Sequence, residues 1–201
     1  MPENVKPRPP LVILRVPYSM RIYTLLFLSA FLLTAATPKL VKTKVNDNIT
    51  VSIPAGFFAM EPDDIAQRFP SVRAPLGAYT NEDRIVDLSV NISATQWPDG
   101  NREVAGKFFK TSLYNLYDKV DMIDEGTHVV HKKEYIYFEF ESRTHAARRD
   151  DAASEPTLKY TYIQYFVEPN RTLVFTFSCP RSLKEDWQET ARAVMKSVKV
   201  K

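Results

Sequence analysis

Alternating hydrophobic and polar positions mark the strands of this chain. In RIVDLSVNISA, residues 84–94, every second residue from Val86 to Ala94 is apolar and the residues between are polar. The same period of two occurs in EYIYFEFESR (134–143) and in the closing strand pattern at 171–179. This period is typical of a β-strand with one face buried. Shorter patterns predict further strands at 40–45, 49–53 and 160–168.

Three- and four-residue spacing of apolar residues predicts three helices. A short helix begins at 61 and ends near 69, and a longer one runs from its N-cap Asn101 to about Lys119. The S-x-x-E capping box at Ser182 starts the closing helix. The long helix has one broad apolar stripe: Ala105, Phe108, Phe109, Ser112, Leu113, Leu116, Tyr117 and Val120.

The predicted element order is β-β-α-β-α-β-β-β-α. Hairpins dominate and βαβ crossovers are few, so we expect a mainly antiparallel sheet in an α+β domain. The length of 201 residues and the 44% apolar fraction fit one folded domain, over residues 37–201.

The N-terminal segment has the layout of a secretory signal peptide. Arg21 precedes a fifteen-residue apolar run, residues 22–36, which ends in small residues. We predict a leader at 20–36 that is cleaved between Ala36 and Thr37; a retained anchor is the alternative. Residues 1–19 form a proline-rich prefix, either a start-site artefact or an extended leader.

The net charge of +3 belongs to the leader region. Residues 1–36 hold four basic residues and one acidic residue, which leaves 23 of each in the remainder. A neutral body gives no reason to expect nucleic-acid binding. Membrane contact is expected only through the leader or through a partner.

Cys179, the single cysteine, is predicted to be structural. It shares a strand face with apolar residues, and a thiolate would need a neighbouring base. No G-x-S-x-G motif and no phosphate-binding glycine loop occurs. We therefore expect no catalytic residues and no cofactor.

Other constellations have structural explanations. His128 and His131 lie three apart on an extended segment and are expected to be solvated rather than to bind zinc. Glu139 and Glu141 share one strand face, which is the arrangement a glycoside hydrolase could use, but an exposed, solvated face is expected. The acidic residues at 61–64 suit the first turn of a helix better than a calcium site.

The order of elements resembles the PsbP-like and DcrB-like superfamily. The likeness rests on the segment IPAGF at 53–57, the long helix after Trp97, and the closing pattern F-x-F-S-C-P…W…A…V…S-V at 175–198. It implies an antiparallel sheet sandwiched between helices. It also implies a non-enzymatic accessory or binding domain, such as a subunit docked on a membrane complex, an envelope protein or an adaptor.

Two regions are candidates for an interaction surface. The first is a set of tyrosines on paired strands, which is suited to stacking against a partner unless a helix covers it. The second is the polar loop at 73–84, with Trp97 nearby. The candidate residues are Arg73, Tyr79, Asn81, Glu82, Asp83, Trp97, Tyr135, Tyr137, Tyr160 and Tyr162.

The sequence therefore predicts an exported, non-enzymatic binding or accessory domain of the bacterial cell envelope, in the periplasm or secreted, with an envelope protein as partner. One alternative is a small-ligand carrier with an apolar pocket under the tyrosines. The other is an envelope hydrolase that uses Glu139 and Glu141.

Overall fold

The computed structural model describes residues 38–69, 73–144 and 156–201. The predicted prefix, the leader with its cleavage site at Ala36 and Thr37, and most of the polar loop at 145–156 lie outside these residues and stay predictions. The strands are β1 Leu40–Lys44, β2 Ile49–Pro54, β3 Phe58–Ala59, β4 Gly77–Thr80, β5 Asp87–Ile92, β6 Lys119–Val130, β7 Lys133–Thr144, β8 Thr157–Glu168, β9 Arg171–Pro180 and β10 Lys199–Val200. The helices are α1 Pro62–Arg68, α2 Arg102–Leu116 and α3 Lys184–Lys196.

The strands form two antiparallel sheets. The large sheet has the order β3-β4-β5-β9-β8-β7-β6, and the small sheet has the order β1-β2-β10. Every strand pair in the described parts of the chain is antiparallel, so the predicted α+β class with an antiparallel sheet is confirmed.

Helices cover both faces of the large sheet. On one face, α3 and the small sheet enclose a core that includes Tyr135, Phe175 and Phe177. On the other face, α2 packs on β6 and β7 over a second core that includes Phe138 and Phe140. The alternation predicted for β7 and β9 is therefore correct, and each face has its own helix.

The sequence patterns did not predict four of the strands that the structure describes: β3, β4, β6 and β10. β3, β4 and β10 have only two to four residues, too few to show a period. β6 is an edge strand with most side chains exposed and a register shift between Met122 and Asp124, so no clean alternation arises. The loop predicted at 73–84 contains β4.

The two helix starts differ from each other. The Asn101 side chain accepts a hydrogen bond from the Val104 backbone N–H at 3.1 Å, as predicted. The capping box predicted at Ser182 is wrong, because residues Arg181–Leu183 form a 3₁₀ turn and α3 begins only at Lys184, without a side-chain cap. Acidic residues in the first turn of α3 instead stabilise the helix through their interaction with the positive end of its dipole.

Among the described residues, no helix is long and apolar enough to span a bilayer.

Candidate functional site

The tyrosine set predicted as an interaction surface lies mainly in the core. Tyr135 and Tyr160 are fully buried and Tyr162 is nearly so, because α3 covers this face of the sheet. Tyr137 is half-buried and stacks on Tyr162 at a ring distance of 5.7 Å. Burial raises the pKa of Tyr160 and of Tyr162. This correction removes the three buried rings from the candidate surface.

Glu139 lies on the same face, and its predicted exposure is wrong. The residue is 1% exposed and its carboxylate accepts three hydrogen bonds. Tyr160 Oη and Arg192 Nε each donate at 3.0 Å, and Gln188 Nε2 donates as well. The two residues from α3 bring a charge and an amide to a carboxylate on β7. The cluster therefore fixes α3 on the sheet.

Glu141, two residues along the strand, is also paired. Its side chain is 15% exposed and lies 2.9 Å from Lys184 Nζ and 2.6 Å from Arg181 Nε. An acid/base pair needs water and substrate at both carboxylates. Here one carboxylate is buried and the other is held between two cations, which is not the arrangement of a solvated acid/base pair.

His128 is half-buried rather than fully solvated. Its ring stacks on Tyr137 at 4.8 Å, and its Nε2 lies 3.0 Å from Gln164 Oε1. The buried Gln164 in turn donates to the Met195 carbonyl oxygen at 3.2 Å, which links β6 through β8 to the end of α3. His131 lies in the exposed turn after β6. No group of three metal-ligating side chains occurs in the described segments.

The His128 environment predicts a pH-dependent stability. Burial lowers the pKa of His128 below its ordinary value of 6.5, with the Gln164 hydrogen bond opposing and the Lys196 charge assisting. The folded state thus favours the neutral ring. Its contribution to stability is full above pH 6.5 and is lost as the pH falls below that value, because the unfolded chain binds the proton first.

We expect the free energy of unfolding, from urea titrations between pH 7.5 and about pH 5.5, to fall with pH in the natural chain. His128→Phe keeps the ring stack and should flatten this dependence, whereas His131→Gln, at an exposed turn, should leave it unchanged. An equal slope in His128→Phe would show that another group titrates.

The hairpin around Asn81 is ordered by its own polar contacts. Asn81 Oδ1 accepts hydrogen bonds from the Ile85 and Val86 backbone N–H groups, both at 3.0 Å. Tyr79 is 8% exposed and belongs to the core, which corrects its place among the surface candidates. The remaining candidates there, Arg73, Glu82 and Asp83, are exposed, and their role stays a prediction.

A groove lies between α1 and the large sheet, which we name the α1–β5 groove. Its volume is about 380 Å³. Its lining residues come from α1 and the segment that follows, from the β4–β5 turn and β5, from the start of β8 and from the second half of β9: Arg68, Phe69, Arg84, Ile85, Asp87, Ser89, Lys159, Thr176, Ser178 and Pro180. It lies on the same sheet face as α2, beyond the part that α2 covers.

An apolar surface lies at the other end of β5, which we name the Trp97 patch: Trp97, Pro98, Val104 and Phe108. Val104 is 50% exposed and Phe108 is 43% exposed, and the Trp97 and Phe108 rings meet edge to face at 5.5 Å. A hollow of about 150 Å³ separates Pro98 from Val104. Trp97 was predicted as a surface candidate, and the structure places it beside two residues that the sequence analysis did not select.

The broad stripe predicted for α2 contained the missed signal. The sheet buries Ala105, Phe109 and Leu113, whereas Phe108 and Leu116 stay exposed. An apolar stripe wider than the face that the sheet buries leaves apolar side chains on the surface, and the width of the stripe was the signal for these exposed residues.

Cys179 is 1% exposed, and the prediction that it belongs to the core is confirmed. Burial raises the pKa of its thiol to about 12, with the Asp186 charge assisting. A thiolate is therefore disfavoured at neutral pH.

Comparison with solved structures identifies the architecture. Cyanobacterial PsbP (CyanoP) from Synechocystis sp. PCC 6803 superposes with a TM-score of 0.55 at 13% identity, over 81% of this chain and 92% of that one. The fold is PsbP-like. LpqN, a protein involved in cell envelope biogenesis of Mycobacterium tuberculosis, superposes with a TM-score of 0.53 at 10% identity, over 81% of this chain and 90% of that one.

The PsbP-like part of the resemblance predicted from the sequence is thus confirmed, together with the antiparallel sheet between helices. At these identities the likeness establishes the fold alone. No family model matches the chain, and no curated protein matches it by sequence.

Proposed function

We propose that the protein is an exported, non-enzymatic accessory domain of the bacterial cell envelope that docks on a protein partner through the Trp97 patch. The observation that carries this proposal is the contiguous exposure of Val104 and Phe108 beside Trp97. Trp and other large aromatic residues are the side chains that most often dominate the energy of protein interfaces. Such residues cost little to expose singly, but a cluster marks a contact surface.

The surroundings of the patch suit a protein partner. Asp99 and Asn101 flank the hollow beside Trp97, and Lys107 lies on the next turn of α2. An apolar centre with a polar rim is the usual anatomy of a protein interface. The partner surface that fits it presents one or two apolar side chains and no unpaired charge at its centre.

The predicted leader at 20–36 supports export, to the periplasm or beyond. LpqN, which is involved in cell envelope biogenesis, has the same fold, and this likeness supports an envelope role. The neutral body supports a partner other than nucleic acid. Membrane association then comes from the leader before cleavage or from the partner.

The two alternative functions have weaker support. A small-ligand carrier would need an apolar pocket under the tyrosines, but side chains of α3 pack there. A hydrolase that uses Glu139 and Glu141 meets a buried carboxylate and an ion-paired one. We therefore propose that the protein is not an enzyme. Turnover that is present in the natural chain and lost in the double variant Glu139→Gln/Glu141→Gln would contradict this proposal.

The docking proposal is tested with the full chain, tagged at its C-terminus and recovered from the envelope of its source cell. Phe108→Asp should lower the amount of co-purified partner about tenfold or more, because a charged side chain replaces an aromatic ring at the centre of the interface. Tyr114→Asp is the matched control, since Tyr114 is 47% exposed on the same helix but outside the patch. Equal partner recovery with both variants would contradict docking at the Trp97 patch.

A further inference from the structure

Helix α1 is held on the sheet mainly by charged side chains. None of its seven residues is buried. Arg68 Nη1 lies 2.8 Å from Asp87 Oδ1, and Arg68 Nη2 donates to the Arg84 carbonyl oxygen at 2.7 Å. From the other side, Arg84 Nη1 lies 3.0 Å from Asp64 Oδ2. These ion pairs place two guanidinium groups, those of Arg68 and Arg84, at the rim of the α1–β5 groove. An apolar contact between helix and sheet would not have required them.

Arg84 also has an unusual backbone. Its φ is +57°, in the left-handed region that non-glycine residues rarely adopt. Arg84 lies in the β4–β5 turn, and positive φ also occurs at His131, Lys132 and Asn170 in other hairpin turns of the chain. In this structure the conformation presents the Arg84 side chain, half exposed, at the groove.

The floor of the groove is polar although the same sheet face is apolar under α2. Ser89 on β5 pairs with Thr176 on β9, and Asp87 pairs with Ser178. These residues take the positions that Phe138 and Phe140 take on β7 beneath α2. The floor thus offers hydroxyl groups, while Phe69, Ile85 and Pro180 supply apolar walls.

The charge of the groove is positive. Arg68, Arg84 and Lys159 line it, whereas Asp87 is its single acidic lining residue and Asp64 pairs with Arg84 from outside. Within the described segments, no acidic side chain pairs with Lys159. Arg84 uses one of its three nitrogens in its ion pair, which leaves donors for a further anion.

We propose that the α1–β5 groove is a binding site for a small organic anion, with its carboxylate or phosphate at Arg84 and Lys159 and its apolar body against Ile85 and Phe69. The hydroxyl groups of Thr176 and Ser178 orient the anion from the floor. The volume of about 380 Å³ lies within the range of small-molecule sites, about 300–1,000 Å³. This site is separate from the Trp97 patch, since the two lie towards opposite ends of β5.

The test is an NMR titration of the ¹⁵N-labelled full chain with phenyl phosphate and, separately, with benzoate, which distinguishes the two anion classes. Saturable shifts of the Ile85, Thr176 and Ser178 amides are expected with one probe or both. Lys159→Gln and Arg84→Gln should each weaken the affinity about tenfold, the usual effect of removing a hydrogen bond to a charged group. Thr176→Val with Ser178→Ala should weaken it without a change of charge.

Lys42→Gln is the matched control, because Lys42 is exposed on β1 in the small sheet. It should leave the affinity unchanged. Benzyl alcohol, which lacks the charge, should produce no saturable shift. Non-saturating shifts spread over many surface lysines, or equal affinity in Lys159→Gln, Arg84→Gln and Lys42→Gln, would overturn the proposal. Inorganic phosphate binding as tightly as phenyl phosphate would overturn the role of the apolar walls.

Discussion

Phe177→Ala should lower the free energy of unfolding by about 3–5 kcal/mol, the range for removing a buried aromatic ring from a core. Phe177 is fully buried on β9. Its ring centroid lies 6.3 Å from that of Phe57, on which it stacks, and 6.0 Å from that of Trp187 in α3. The ring joins three parts of the domain, so the cavity cannot collapse without moving one of them. Urea denaturation followed by circular dichroism measures the loss.

Phe58→Ala is the matched control for this prediction. Phe58 lies on the edge strand β3 and is 38% exposed. Its removal should cost well under half as much, because part of the ring is already in water. Equal losses for the two variants would mean that the core on the α3 side of the sheet is not the main source of stability.

Arg192→Met should lower the free energy of unfolding by about 3 kcal/mol, near the lower end of the range for breaking a buried ion pair. Arg192 is one-third exposed, but its partner Glu139 is 1% exposed and would lose the cation that compensates its carboxylate. The Glu139 hydrogen bond and charge raise the pKa of Arg192, in agreement with a tight pair. Chemical denaturation at pH 7 measures the effect.

The double variant Glu139→Gln/Arg192→Met is the control that separates charge from packing. It removes the uncompensated carboxylate, so it should recover most of the stability lost in Arg192→Met. A negligible loss in Arg192→Met would show that water reaches Glu139. That result would weaken the interpretation of this cluster as an anchor for α3 and revive the hydrolase alternative.

Local sequence patterns were sufficient to predict most of the elements. In β5, β7, β9 and α2 the buried side chains recur with the period of a strand or of a helix. That period can be read within each segment alone. The Asn101 cap follows from contacts within four residues. For the same reason the core position of Cys179 could be predicted from its register with Phe175 and Phe177.

The candidate site was harder to predict because it depends on contacts distant in sequence. The alternation of β7 shows that Tyr135 and Glu139 share a face, but not that α3, about fifty residues later, covers it. The Trp97 patch arises because α2 buries only part of its stripe, and the sequence does not reveal where the sheet ends beneath a helix. The α1–β5 groove combines residues from four separate segments.

The measurement that tests the central claim most directly is site-specific photocrosslinking in the source cell. A photoreactive phenylalanine analogue replaces Phe108 in one full-length chain and Tyr114 in another, and the intact mass of every product is recorded. The account predicts a single major crosslinked protein from position 108 and little from position 114, on a chain that begins at Thr37. The absence of a crosslink at position 108, or the same products from both positions, would contradict docking through the Trp97 patch.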